Sequence, residues 1–167
     1  MSAGLFLGAL AGASLGSGMA DVMVSAVIGG ATAVLPDVDH PGSMAGRIFR
    51  PLSVYLEERW GHRDSPTHTA VFVLLAALPA AAAWVLVGFP PAPGLAALLG
   101  GASHLVMDSF TRSGVRPWRY LPVAERQRNK LYRGRLETGK SPLEWGLACA
   151  MFVGAVVLSM FKLAKVI

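Results

Sequence analysis

Apolar residues dominate four stretches of the chain, which are separated by two polar segments and one short Pro-rich turn. The stretches cover residues 3–35, 69–88, 95–110 and 143–167. A helix crosses the hydrocarbon core of a bilayer with about 20 predominantly apolar residues, so this pattern predicts membrane-spanning helices. We therefore expect an all-α, polytopic membrane protein with about four transmembrane spans, forming a single domain over residues 1–167.

The first apolar stretch is too long for one simple crossing, and only Asp21 interrupts it with a charge. It fits either one long tilted helix or two shorter segments that form a broken or re-entrant pair. Glycines recur there at four-residue spacing, at Gly4, Gly8, Gly12 and Gly16. On a helix these residues share one face and let a second backbone approach closely. No Lys or Arg precedes the stretch, so we do not expect a cleaved signal peptide.

Basic residues are concentrated in the two polar segments. The chain is 53% apolar and only 15% charged, with 15 Lys and Arg against 10 Asp and Glu. Thirteen of the 15 basic residues lie between positions 36 and 67 or between positions 112 and 140. The predicted spans place both segments on one side of the membrane, and loops rich in Lys and Arg face the cytoplasm. We therefore expect both loops to be cytoplasmic, and we do not expect a nucleic-acid partner.

Histidine and aspartate residues cluster where the predicted spans meet these two loops. The clusters are Asp37, Asp39 and His40 after the first stretch, His62 and His68 before the second, and His104 and Asp108 near the end of the third. All of these positions fall at span ends on the same side of the membrane. Clusters that are distant in sequence are thus expected to meet at one membrane surface.

His104 and Asp108 are four residues apart, so on a helix their side chains project from the same face. Ionisable residues in a membrane span are energetically expensive and usually functional. Taken alone, the pair fits either a shared cation or a hydrogen bond that only holds helices together. Because two other His/Asp clusters arrive nearby, we favour a metal site.

The ligand types restrict the choice of metal. Imidazole and carboxylate groups without a thiolate fit zinc, manganese or iron rather than a structural thiolate site, and we expect zinc first. Seven candidate ligands exceed what one tetrahedral ion needs, so the pattern allows one ion or two ions that share a bridging carboxylate. Two-metal sites activate water and stabilise the leaving oxygen in phosphoester hydrolysis.

Several motifs occur together and in order along the chain. They are Pro-Asp-Val-Asp-His-Pro-Gly-Ser at 36–43, His-Arg at 62–63 followed by Thr-His-Thr at 67–69, Gly-Ala-Ser-His-Leu-Val-Met-Asp at 101–108, and Thr-Gly-Lys at 138–140 followed by Glu144. The set resembles the YdjM family of inner-membrane-associated, metal-dependent hydrolases. This resemblance covers most of the chain, and it implies a small helical membrane protein with a metal-dependent hydrolase activity.

We expect the substrate to be a phosphoester or related ester, of a membrane lipid or of a small molecule, cleaved at the cytoplasmic face. Asp39 and Glu144 are the candidate catalytic residues, although an acidic residue in the first turn of a helix, as Glu144 is, is equally common for electrostatic reasons. The candidates for binding an anionic substrate are Arg63, Arg112 and Arg116. Contact with anionic lipid headgroups is the commoner reason for such arginines.

Two other functions are compatible with the sequence. In a metal-ion transporter, the intramembrane His and Asp would form a transit site, and Asp21 is the one residue that would continue the path. In a structural membrane protein, the metal would only tie the loops together. Substitution of Asp39 distinguishes the latter, because a structural site should lose folding whereas a catalytic site should lose turnover. The oligomeric state does not follow from the sequence.

Overall fold

The computed structural model describes residues 1–16, 18–136 and 142–164. The α-helices in these ranges are α1 (Ser2–Leu15), α2 (Met19–Thr32), α3 (Met44–Ile48), α4 (Arg50–Trp60), α5 (Ala70–Val87), α6 (Ala92–Ser109), α7 (Glu125–Arg128) and α8 (Pro142–Ala164). Two 3-10 helices cover Pro36–Asp39 and Pro66–His68. The only pairing of extended backbone among the described residues consists of two isolated bridges, Thr111 with Leu136 and Val115 with Tyr132. The predicted all-α fold class is therefore confirmed.

The first apolar stretch forms two antiparallel helices rather than one. Gly16 ends α1 with an extended backbone, and Gly18 precedes α2. Glycine lowers helix stability by about 1 kcal/mol relative to alanine, so two glycines favour a break here. The carboxylate of Asp21 accepts a hydrogen bond from the Gly18 N–H at 3.3 Å, which stabilises the start of α2. Of the two arrangements that the sequence allowed, the paired segments are the one observed.

The glycine spacing in α1 serves close packing, as the sequence predicts. A Cβ added at Gly4 would overlap the backbone of Gly29, and one added at Gly8 would overlap the carbonyl of Ser25. Gly100 of α6 meets the same Gly29 carbonyl from another side. Helices α1, α2 and α6 therefore approach one another through backbone contacts at small residues.

The remaining long helices pack around this centre. Helix α6 contacts α1, α2 and α5, while α8 lies mainly against α1. Ala9, Val22 and Ala155 form a small buried cluster that joins α1, α2 and α8. The segment after α6 folds back over the start of α5, where the Ala70 N–H donates to the Pro117 carbonyl at 2.8 Å. This arrangement brings the end of α2, the start of α5 and the end of α6 to the same end of the bundle.

By length and composition, two segments in the described ranges could cross a membrane, Met19–Asp39 and Ala70–Val87. Only 11% of the second segment is buried inside the protein, so it is not the core helix of a soluble domain. Large apolar side chains such as Leu78, Val85 and Leu86 are exposed along it. A continuous exposed apolar surface of this kind is typical of contact with lipid. The predicted number of four spans stays a prediction.

Candidate metal centre

Three donor atoms from two elements form a small triangle at this end of the bundle. His68 Nε2 lies 3.4 Å from His104 Nε2 and 3.5 Å from Asp108 Oδ2, and His104 Nε2 lies 3.4 Å from the same Asp108 oxygen. When zinc is bound tetrahedrally by nitrogen and oxygen atoms at about 2.0–2.1 Å, neighbouring donor atoms lie about 3.3–3.4 Å apart. The triangle therefore has the dimensions of three ligands around one such ion.

Local structure places these three side chains. His68 ends the 3-10 helix that begins at Pro66, and the Ser65 hydroxyl accepts a hydrogen bond from the Thr67 N–H to start that turn. His104 and Asp108 lie one turn apart near the C-terminal end of α6. His68 and Asp108 are buried, and His104 is only slightly exposed. The four-residue spacing thus puts both α6 side chains on the face that meets His68.

Hydrogen bonds fix which ring nitrogens face the triangle. His104 Nδ1 lies 2.8 Å from the Ala33 carbonyl oxygen, which can only accept a hydrogen bond, so Nδ1 carries the proton. His68 Nδ1 lies 2.9 Å from Asp39 Oδ2, and the carboxylate accepts in the same way. The Nε2 atom of each neutral ring then presents its lone pair to the triangle. Outer hydrogen bonds of this type orient metal-binding histidines in proteins.

Asp108 provides the clearest test of whether the residues fit a cation. Its Oδ1 accepts a hydrogen bond from Arg63 Nη1 at 2.8 Å. Its Oδ2 is buried and, with both imidazole rings neutral and protonated at Nδ1, it has no hydrogen-bond donor within the described part of the chain. A buried carboxylate oxygen without a partner is energetically costly. A divalent cation within the triangle would satisfy that oxygen and both imidazole lone pairs, so the donor set fits the ion.

Asp37 supplies a fourth donor at the edge of the triangle. Its Oδ1 lies 3.5 Å from His68 Nε2 and 3.4 Å from His104 Nε2, and its side chain is 34% exposed. Asp37, His62 and His68 form a second group of donors that lie near one another. Both groups need His68, and its single free lone pair binds only one ion. The geometry therefore favours one ion over the predicted alternative of two.

Asp39 lies behind the donors rather than among them. Its side chain is fully buried, and its oxygens accept hydrogen bonds from His62 Nδ1 at 2.8 Å, His68 Nδ1 at 2.9 Å and Thr67 Oγ1 at 3.1 Å. The Arg63 N–H also points to it, at 3.4 Å. Both oxygens are thus engaged by orienting contacts. The sequence suggested Asp39 as a metal ligand and catalytic residue, whereas the structure places it where it positions two imidazole rings.

The other two histidines lie at the rim. His62 is half-buried, and its ring is held by Asp39. His40 is exposed, and its Nδ1 lies 3.2 Å from Glu57 Oε1. The His40 and His62 rings face each other with centroids 4.9 Å apart. His40 was among the expected ligands, but it belongs to neither group of donors.

The predicted anion-binding arginines have different surroundings. Arg63 contacts Asp108 and donates to Thr111 Oγ1 at 2.9 Å, so part of its charge is used inside the protein. Arg116 forms an ion pair with Asp64. Arg112 is exposed, and its N–H donates to the Leu136 carbonyl at 3.0 Å.

Glu144, the second predicted catalytic residue, belongs to α8, but its side chain lies outside the described residues.

The triangle faces an open cavity of about 510 Å³. Asp37, His62, Arg63, His104 and Asp108 line it together with residues from α1 and α8. An ion held by these residues would therefore be accessible from the cavity. Access for water and substrate distinguishes catalytic zinc sites from closed structural ones.

The pKa of His68 is raised above its ordinary value. Burial lowers this pKa, but hydrogen bonds to the carboxylates of Asp37 and Asp39 raise it by more. In the absence of a metal ion, His68 therefore keeps its proton to a higher pH than an ordinary histidine. Binding of an ion must displace this proton, which makes metal affinity dependent on pH.

Some groups that hold the site residues in place could not be recognised from the sequence. The Ala33 carbonyl fixes the His104 ring, but a backbone acceptor leaves no residue-type signal. Thr67 and Thr111 supply hydroxyl groups to Asp39 and Arg63. The sequence indicated these roles only in that Thr67 precedes His68 and Thr111 follows Asp108 by three residues.

Comparison with known proteins identifies the family. A sequence model described as YdjM inner membrane protein matches residues 1–164. The chain belongs to the YdjM family. The predicted resemblance is therefore confirmed.

Individual relatives agree with this assignment. The chain is 38% identical over 114 residues to the inner membrane protein YdjM of Escherichia coli (strain K12), and equally to that of Shigella flexneri; the match covers 61% of this chain and 56% of the relative. It is 31% identical over 98 residues to the uncharacterized protein YvsG of Bacillus subtilis (strain 168), which covers 58% of this chain and 57% of YvsG. The chain thus spans little more than half the length of these relatives. No solved structure matches it.

The names support location in the inner membrane and state no enzymatic activity. Together with the exposed apolar surface of α5, they identify the chain as a YdjM-family inner membrane protein with His and Asp groups suited to a metal ion.

Proposed function

We propose that this YdjM-family protein is a metal-dependent hydrolase that cleaves a phosphoester or related ester at the cytoplasmic face of the inner membrane. The observation that carries the proposal is the triangle of His68, His104 and Asp108, which has ligand spacing and borders an open cavity. Zinc suits two imidazoles and a carboxylate best, with manganese or iron as alternatives.

Three residues would hold the ion, and a second set keeps them in place. Asp39 and the Ala33 carbonyl fix the two imidazole rings, and Arg63 holds the second oxygen of Asp108. A divalent ion bound there supplies Lewis acidity, which lowers the pKa of a water and polarises the oxygen of an ester.

Asp37 is the residue best placed to receive a proton from the attacking water. Its carboxylate faces the cavity, is partly exposed and lies within 3.5 Å of both ring nitrogens that define the site. A general base must lie within hydrogen-bonding reach of the proton it removes, and such catalysis contributes about 10²–10⁴-fold. Asp39, whose oxygens are engaged by histidines, is then a positioning residue.

Arg63 would contribute positive charge where an anionic substrate enters. Its side chain lines the cavity while it contacts Asp108. Arg116 is less suited, because it pairs with Asp64 and does not line this cavity.

The cytoplasmic orientation rests on the distribution of charge. Thirteen of the 15 basic residues lie in the two segments that follow the C-terminal ends of α2 and α6. The triangle of His68, His104 and Asp108 lies at the same end of the bundle as these segments, so the positive-inside rule supports a site at the cytoplasmic surface.

The transporter alternative predicts a path of polar groups through the bundle. Asp21 would have to extend that path, but it lies at the opposite end of α2 and accepts a hydrogen bond from Gly18. Helices α1 and α5 contain no ionisable residue in their sequences. The observed contacts thus give Asp21 a role in starting a helix.

Hydrolysis of a chromogenic phosphodiester such as bis(p-nitrophenyl) phosphate tests the proposal, with detergent-purified protein and added zinc, manganese or iron. We expect metal-dependent turnover that falls by at least about hundredfold in Asp37→Asn, while bound metal is retained. Asp21→Asn is the matched control and should keep wild-type turnover. Retained turnover in Asp37→Asn would contradict the base assignment. Absence of any metal-dependent turnover across phosphoester and carboxylic ester substrates would contradict the hydrolase proposal.

A further inference from the structure

A second cavity adjoins the candidate metal centre. It has a volume of about 370 Å³ and lies between α1, α6 and α8. Apart from Ser103, the side chains that line it are apolar, and they include Phe6, Leu99 and Met151. We call this cavity the α1/α6/α8 groove.

The groove and the metal-site cavity share part of their walls. Ala3, Ser103, Met107 and Met151 line both. A molecule in the groove can therefore extend into the space above the triangle without leaving the protein surface.

Helix α6 connects the two regions through adjacent stripes of side chains. Leu99, Ser103 and Met107 follow one another at four-residue spacing, so they form one continuous stripe along the groove. His104 and Asp108 form the neighbouring stripe. Leu99 precedes His104 by five residues, which corresponds to about 7.5 Å along the helix axis. The groove thus leads from the polar site toward the apolar middle of the bundle.

A different apolar groove provides the comparison. It has about 440 Å³, lies between α5, α6 and the segment after α6, and is lined by Leu98, Val73 and Trp118 among others. It shares no lining residue with the metal-site cavity. An apolar molecule in that groove would not border the metal-site cavity directly.

We propose that the substrate is a membrane phospholipid whose acyl chain occupies the α1/α6/α8 groove while its phosphoester group reaches the triangle. This inference rests on the proposed hydrolase function and adds the substrate class. The apolar lining fits hydrocarbon, and the cationic side chain of Arg63 in the adjoining cavity fits the negative charge of a phosphate. Because the groove and the metal-site cavity share a wall, the acyl chain of one lipid can lie in the groove while its phosphoester lies at the triangle.

Photolabelling tests the groove without requiring turnover. The probe is lysophosphatidic acid with a diazirine near the end of its chain, added to the full chain in phosphatidylcholine nanodiscs. We expect labelled peptides from α1 and α8 around Phe6 and Met151. Leu99→Trp should fill the groove and reduce this labelling by roughly tenfold, since the loss of contact for about two methylenes lowers affinity by that much. Leu98→Trp, the adjacent and equal change in the other groove, should leave it unaltered.

Chain-length preference provides the second arm. The ratio of kcat/KM for a long-chain phosphoester to that for a chain-free nitrophenyl phosphoester should fall at least tenfold in Leu99→Trp and stay constant in Leu98→Trp. Labelling that is insensitive to Leu99→Trp, or spread evenly over lipid-facing α5, would overturn the inference, as would an unchanged ratio. Turnover of chain-free substrates with no chain preference would support the hydrolase alone. Leu99-dependent labelling without any turnover would support the lipid site and contradict the hydrolase.

Discussion

The Nε2 atoms of His68 and His104 lie 3.4 Å apart, although 36 residues separate the two histidines in the chain. The other nitrogen of each ring is hydrogen-bonded outward, to Asp39 and to the Ala33 carbonyl. Two neutral imidazoles held this way direct their lone pairs at each other, an arrangement that needs a proton or a cation between them. The relationship therefore links the geometry of the bundle end directly to cation binding.

Removal of the Asp39 carboxylate should weaken metal binding without removing a ligand. Asp39→Asn replaces one of the two acceptor oxygens with an NH2 donor, so His62 and His68 can no longer both donate to this side chain. Loss of such an outer carboxylate weakens metal affinity by about 10–100-fold. Competition titration with a chromogenic zinc chelator measures the change. Glu57→Gln, which alters only the contact to exposed His40, should bind zinc like the wild type; equal weakening in both variants would refute the orienting role.

Arg63 should matter for stability as well as for the substrate. Arg63→Met leaves the buried Asp108 carboxylate without its cationic partner, which should lower the free energy of unfolding of metal-free protein by about 3 kcal/mol. Arg63 has a φ of 68°, and methionine is strained there in the same way, so the comparison isolates the side chain. Urea unfolding in detergent with chelator measures the loss. Arg63→Lys keeps the charge and should lose less; an equal loss would point to backbone or packing effects.

Close packing of the first two helices should not tolerate a methyl group. Gly8→Ala places a Cβ against the Ser25 carbonyl, so α1 and α2 must move apart at a cost of about 1–3 kcal/mol. Gly94→Ala is the matched control, because its Cβ would meet ordinary contacts at 3.5 Å. Thermal unfolding in detergent should therefore shift downward for the first variant only. A wild-type melting temperature for Gly8→Ala would contradict the packing of this hairpin.

Stability and metal uptake should respond to pH in opposite senses. Since the pKa of His68 is raised in the folded protein, its protonated form stabilises the metal-free fold below the ordinary histidine pKa, and this contribution is lost as pH rises through the raised value. Zinc requires the deprotonated ring, so its affinity should rise over the same interval. Melting temperatures across neutral pH, with chelator and with zinc, measure both trends. A pH-independent zinc affinity would contradict the assignment of His68 as a ligand.

The sequence predicted the all-α class, and it predicted that distant His and Asp clusters would meet. The His104–Asp108 pair could be predicted, because α-helix geometry alone puts residues four positions apart on one face. The different roles of Asp37 and Asp39 could not be predicted from the sequence. A 3-10 turn and its tertiary contacts direct Asp37 to the cavity and Asp39 to the interior.

Two further features depended on tertiary structure. Gly16 and Gly18 favour a break in the first apolar stretch, but the pairing of its two halves depends on the contact of Gly4 with Gly29, which apolar composition does not encode. Arg63 was interpreted only as an anion-binding residue, because its partner Asp108 is 45 positions away in sequence and lies at the end of another helix.

Metal content is the most direct test of the site. Detergent-purified protein, prepared without chelator, is measured by inductively coupled plasma mass spectrometry alongside His104→Ala, Asp108→Asn and the control Asp21→Asn. We predict about one zinc, manganese or iron ion per chain in the wild type and the control, and almost none in the two site variants, all four remaining monodisperse. A monodisperse wild type that carries no metal and takes up none from added zinc, manganese or iron would contradict the metal centre, and the histidines would then form a hydrogen-bonded network between helices.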